Sequence, residues 1–114
     1  MVIGTVSSFC ESKQREKLPI YFLNGYNGEY VELIINDKLI YGKRIYTDES
    51  IGLADYCYIS NKSGLCNIKI KLNRVNVFKM LVDLDDKRIK ALGFSKYKNS
   101  VLNELFIDNK PLFD

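Results

Sequence analysis

The chain contains no histidine. That absence removes the usual general base near neutral pH, the usual partner of a serine or cysteine nucleophile, and the commonest transition-metal ligand. Tryptophan is missing too, so stacking on a ligand falls to eight tyrosines and six phenylalanines. This weakens a sugar-binding reading without removing it. Cysteine is scarce and odd in number: Cys10, Cys57 and Cys66 show no CxxC spacing, and no disulfide framework can use all of them within one chain. Cys57 and Cys66 flank a turn and could face each other across a hairpin, but buried thiols in a reducing compartment are the expectation.

No apolar run approaches the length of a membrane-spanning helix. The opening MVIGTVSSFCESK has the outline of a clipped lipoprotein leader and fails it in detail. It lacks a basic start, its apolar part is short, and Phe9 stands before Cys10 where a small residue is needed. The expected location is cytoplasmic, with an exported or lipoprotein form as the alternative.

What is present points to one folded domain. At 114 residues, the chain can bury one real core but not two independent ones, so residues 1–114 are read as a single domain. Hydrophobic residues at 46% and charged residues at 27% are near globular averages, which argues against wholesale disorder. A net charge of +3 helps solubility but falls short of the concentrated field of a nucleic-acid binder.

Residues 30–47, YVELIINDKLIYGKRIYT, organise the reading. Val31, Leu33 and Ile35 alternate with their neighbours at the strand period, and a second run follows the break at Asn36-Asp37-Lys38. That predicts a β-hairpin, with a loop of two or three residues, because Asn and Asp tolerate positive φ. Gly42 predicts a bulge or a close backbone approach within the second strand. Further strands are expected over 1–6, 18–23, 51–59, 67–72, 75–84 and 100–106, with 7–17 an exposed connection and Pro19 at a strand start or edge. On the strand over 51–59, Ala54, Tyr56 and Tyr58 share a face. Ile68, Ile70 and Leu72 point inward against outward Lys69 and Lys71.

The order apolar, Asx, Asx, Lys recurs at residues 35–38, 84–87 and 107–110. It reads as a repeated turn solution rather than a cation site, since no segment has the oxygen spacing of a calcium loop and a lysine follows each pair. A hairpin is expected at 84–89, in preference to the competing reading of a short helix capped by Asp85 and running through Lys87 to Leu92. The whole is an all-β chain: an antiparallel β-sandwich, immunoglobulin-like in pattern, of about seven or eight short strands, with an open barrel as the runner-up.

Candidate binding residues lie in the loop NGYNGEY, which pairs flexible glycines with amides and rings: Asn24, Tyr26, Asn27, Glu29 and Tyr30. The competing reading is that its glycines only permit a turn and its tyrosines pack on the core. Tyr56 and Tyr58, joined by Tyr41 or Tyr46, form a second candidate as an aromatic patch. Lys69, Lys71, Arg74 and Lys79, with Lys87, Arg88, Lys90, Lys96 and Lys98 around Phe94 and Tyr97, suggest a basic strip. Alternate lysines, however, also solvate a sheet and protect its edges. Asp85-Asp86 and Asp48-Glu49 point to opposite faces of an extended chain, so neither pair converges on a substrate.

The expected function is a non-enzymatic binding module, most naturally protein-binding, as in an inhibitor or toxin-neutralising protein. A carbohydrate-binding module using the Tyr and Asn loop residues is the alternative. No cofactor, metal, nucleic acid or membrane is expected; a protein partner is, and a homodimer is open.

Overall fold

The computed structural model describes residues 17–60 and 64–107. Within them lie eight strands and no helix: β1 (Leu18–Phe22), β2 (Asn27–Ile35), β3 (Lys38–Tyr46), β4 (Asp55–Ile59), β5 (Leu65–Leu72), β6 (Val75–Asp83), β7 (Ile89–Tyr97) and β8 (Ser100–Ile107). They form two four-stranded sheets, ordered β4-β1-β7-β8 and β3-β2-β5-β6. All neighbours are antiparallel except β1 and β7, which run parallel through Ile20–Leu92, Tyr21–Gly93 and Phe22–Phe94. The expected strand at 1–6 and the Asx pair at 108–109 lie outside the described residues, as does most of the connection at 7–17.

Each sheet follows from its residue pattern. In β5, Cys66, Ile68, Ile70 and Leu72 are buried while the residues between them face outward, the period-two signature of a sheet with one wet side. β1 and β7 are the central strands of their sheet and carry apolar residues on both faces, reading LPIYF and IKALGFSKY. Pro19 fits a central strand because parallel pairing with β7 begins only at Ile20, so its missing N–H falls before that ladder starts.

An aromatic row crosses the core from one sheet to the other. Phe78 meets Phe94 edge-on at 5.4 Å between ring centroids, Phe94 meets Phe22 at 6.2 Å, and Phe22 stacks on Tyr41 at 5.0 Å. Phe22 and Phe94 are completely buried. Burial of rings of this size supplies much of the drive for the sheets to pack.

The hairpin over 30–47 is present, and its loop is the two-residue kind. Asn36 and Asp37 both have positive φ, 50° and 67°, the conformation that matches strand twist in a tight reversal. Asn73-Arg74 closes β5 and β6 in the same way, with φ of 49° and 72°. The bulge of β3 falls at Ile40, between the Leu33–Tyr41 and Ile34–Leu39 pairs. Gly42 is the close approach instead: a Cβ there would lie 2.7 Å from the Tyr30 hydroxyl.

Three expectations need correction. The strand at 51–59 is only Asp55–Ile59. Before it, the Asp48 carboxylate accepts the Ser50 N–H and hydroxyl, and the Asp48 carbonyl accepts the N–H groups of Ile51 and Gly52, with Gly52 at φ 72°. Those bonds close a turn where side-chain alternation suggested a strand. Secondly, residues 84–88 form neither hairpin nor helix. They cross from β6 in one sheet to β7 in the other, so the second Asx-Asx-Lys stretch is an inter-sheet connection, not a copy of the first turn. Thirdly, the basic strip divides: Lys69, Lys71 and Lys79 belong to one sheet, β7 with its lysines to the other, and Phe94 lies in the core. Cys57 and Cys66, in opposite sheets, both remain thiols.

Candidate functional site

The chain passes from one sheet to the other through residues 23–27, at one end of the sandwich. Leu23 N–H donates to the Phe94 carbonyl, and Lys96 N–H to the Asn24 carbonyl, each at 2.8 Å. The loop thus continues along β7 before turning away. Gly25 makes that turn with φ 94°, and a Cβ there would come within 2.0 Å of the Lys96 carbonyl oxygen. No other residue fits without moving the backbone. Thr47 clamps the far side, accepting from Tyr26 N–H at 3.0 Å and donating to the Leu23 carbonyl at 2.7 Å.

Tyr26 packs into the core while bordering the groove that runs along the loop. It is 3% exposed, its hydroxyl donates to the Phe94 carbonyl at 2.9 Å, and its ring meets Phe22 edge-on at 6.1 Å. Burial, then the nearby Glu29 charge, push its hydroxyl well above the ordinary tyrosine range. The ring pins the loop to the core.

Glu29 and Lys96 tie the two sheets at this end, 3.2 Å apart, with side chains 18% and 17% exposed. Burial acts to raise the Glu29 pKa, and the N–H groups of Asn27 and Glu29 together with Lys96 outweigh it, so the group lies below the ordinary value. Beside this pair is a groove of about 420 Å³, lined by Leu72, Asn73, Val75, Val77 and Asn99 as well. A second groove of about 660 Å³ runs along the loop itself, lined by Asn24, Asn27, Tyr46, Thr47 and Glu49 among others.

Tyr30 sits on the outer side of its sheet, its ring beneath the Arg74 guanidinium at 5.3 Å and its hydroxyl over Gly42. Its N–H is held by the Asn73 side chain at 2.9 Å. Asn24, Asn27, Glu29 and Tyr30 therefore gather around one end of the fold.

Tyr56 and Tyr58 belong to a different surface. They stand on the outer face of β4, 50% and 52% exposed, with ring centroids 5.7 Å apart and planes nearly perpendicular. Their companion is Tyr21 of β1, 6.3 Å from Tyr56, rather than Tyr41 or Tyr46. Lys17 lies 5.7 Å over the Tyr58 ring. Tyr41 instead turns inward, where its hydroxyl donates to Asp55 at 2.5 Å; Lys43 reaches the same carboxylate at 3.3 Å.

That second inter-sheet tie shifts the groups around it. Burial opposes ionisation of Asp55, but the Tyr41 hydroxyl, the Tyr56 N–H and Lys43 outweigh it and hold its pKa low. Burial, then the Asp55 charge, push the Cys57 thiol up to about 12. The carboxylate stays charged and the thiol stays protonated near neutral pH, states that suit a hydrogen-bonded strut better than a nucleophile. Among the described residues, no three His, Cys, Asp or Glu side chains gather as a metal site requires.

Sequence reasoning missed Tyr21, Thr47 and Asn73, and it put Tyr46 with the aromatic patch and Lys96 with the basic strip rather than at this end of the fold. Asn73 carried a usable signal, an Asn opening a two-residue break between alternating strands. The approach of Lys96 to Glu29 joins strands far apart in sequence, and neither local pattern announces it. In comparison with known proteins, the chain matches no family model, and neither a curated protein nor a solved structure is detectably similar to it.

Proposed function

We propose that this domain is a non-enzymatic, cytoplasmic protein-binding module that presents the outer face of β4 and β1 to its partner, as an inhibitor or neutralising protein does. The observation that carries the reading is the tyrosine cluster. Tyr56 and Tyr58 are half exposed, yet each is braced, one by Tyr21 and the other by Lys17. Braced tyrosines offer large amphipathic contact area at small cost in side-chain entropy, which is why such rings are enriched in binding surfaces. In kind, the sandwich is proposed as immunoglobulin-like in the broad sense of two packed, hairpin-built sheets; the parallel β1–β7 pair is the feature that assignment must accommodate.

Affinity capture from native lysate tests it. The wild-type domain is expected to retain one stoichiometric protein, and the Tyr56→Ala/Tyr58→Ala double variant to lose it while its unfolding midpoint changes little. Equal recovery by both would reject this face as the contact. Carbohydrate binding is the second reading, favoured by the groove in which Asn24, Asn27, Thr47 and Glu49 supply polar groups beside Tyr46, itself 61% exposed. Retention on a polysaccharide column that Tyr46→Ala abolishes would support that reading over the first.

A further inference from the structure

Four strands border the two sheets, and three of them are guarded. β3 carries Lys38, Lys43, Arg44 and the bulge at Ile40; β6 carries Lys79, Asp83 and a register shift near Val77; β4 is five residues long, with Asp55 engaged by Tyr41 and Lys43. Charge, bulging and shortness are the usual means of blocking edge pairing. β8 is the least guarded. It runs eight residues, SVLNELFI, with Glu104 its only charge, and keeps unbroken register with β7 from Phe106 to Ser100. Leu102, Leu105 and Ile107 are 59%, 38% and 43% exposed, and no strand lies beyond it among the described residues.

The direction of its free backbone groups follows from β7. The Phe94 carbonyl accepts from Leu23, and Lys96 N–H donates to Asn24, so both residues turn their polar groups toward β1. Their partners across the β7–β8 ladder, Asn103 and Val101, are therefore in non-hydrogen-bonded pairs and direct N–H and C=O to the open edge. Leu105, two residues on, does the same.

We propose that β8 pairs antiparallel with β8 of a second copy of this chain, about a two-fold axis at Asn103. The strand is complementary to itself in that register. Asn103 faces its own copy and Val101 faces Leu105, so these edge-facing residues meet edge-facing residues, while Glu104 falls opposite Leu102 and Ile107 lies past the paired segment. Shifting the axis to Glu104 sets two like charges face to face, and shifting it to Leu102 leaves Leu105 unpaired. Two-fold dimers, in which the same patch of both copies meets, are also the commonest assemblies of identical chains. Strand pairing of this length buries less than the roughly 1,600 Å² of a standard interface, so the dimer depends on concentration.

Sedimentation velocity of the full chain, from micromolar to about 1 mM, reads the association directly. Leu102 is exposed on the outer face, so Leu102→Glu and Leu102→Lys keep the fold, as equal urea midpoints will confirm. Leu102→Glu sets an acid opposite Glu104 of the other copy, twice in the dimer, and is expected to weaken it about tenfold, whereas Leu102→Lys forms opposite-charge pairs there and holds or tightens it. Leu105→Pro deletes an edge-facing N–H, spares the β7 ladder, and should also weaken association. A wild-type chain that stays monomeric throughout overturns the proposal, whether or not the edge accepts a foreign strand. Equal effects of the Glu and Lys variants overturn the register.

Discussion

Tyr26 illustrates how much one ring decides at the scale of the residue. It lies in a loop of glycines and amides that suits ligand contact, yet Gly25 turns the chain so that the ring enters the core and its hydroxyl reaches the Phe94 carbonyl. No alternation exists in so short a loop to say which way a side chain points, so the sequence left the binding and packing readings open. The consequence is measurable. Tyr26→Ala should cost about 3–5 kcal/mol, as for a large buried ring. Tyr26→Phe should cost only about 1 kcal/mol, because the Phe94 carbonyl keeps its bond from Leu23 N–H. Urea unfolding of the two variants separates these outcomes, and a small loss for Tyr26→Ala would return the ring to the surface.

Among the elements, strands were easier to read than what joins them. β5 is legible because Ile68, Ile70 and Leu72 alternate with lysines, and β2 because Val31, Leu33 and Ile35 recur at the same two-residue period, with Glu32 and Ile34 between them. Connections with the same composition diverged. Asn36-Asp37 reverses a strand within its sheet, while Asp85-Asp86 lies on a crossing between sheets. Local chemistry permits a turn in both; the destination of the next strand is decided by burial of its apolar face elsewhere. The Asn36-Asp37 loop nonetheless supports a local prediction. Asp37 holds φ 67°, a region that disfavours side chains, and its contact with Lys69 at 3.6 Å is exposed. Asp37→Gly should therefore raise stability by about 0.5–1 kcal/mol, relieving the left-handed strain and losing an ion pair of little worth. An unchanged or lowered urea midpoint would show that the turn carries no such strain.

For the molecule as a whole, two sheets are tied by two carboxylates that the sequence could not pair. Glu29 in β2 reaches Lys96 in β7, and Asp55 in β4 reaches Tyr41 and Lys43 in β3. Neither link is visible in composition or period, because each joins strands brought together only by folding. That the chain is all-β, and packs as two sheets, was by contrast legible from strand period and turn spacing. Both carboxylates have folded pKa values below their ordinary ones. Their stabilisation is complete above the unfolded values, about 4, and is lost as pH falls through the lower folded values. Urea midpoints should thus hold steady from neutral pH to about 5 and then fall below about 4. Exposed Asp48, lowered by its bonds to Ser50, titrates in the same direction. Glu29→Gln and Asp55→Asn should each flatten part of the acid limb, the double variant most, because a neutral amide has no charge to lose. An acid limb unchanged in the double variant would assign the pH dependence to the remaining surface carboxylates and remove these two ties from the account of how the sheets are held together.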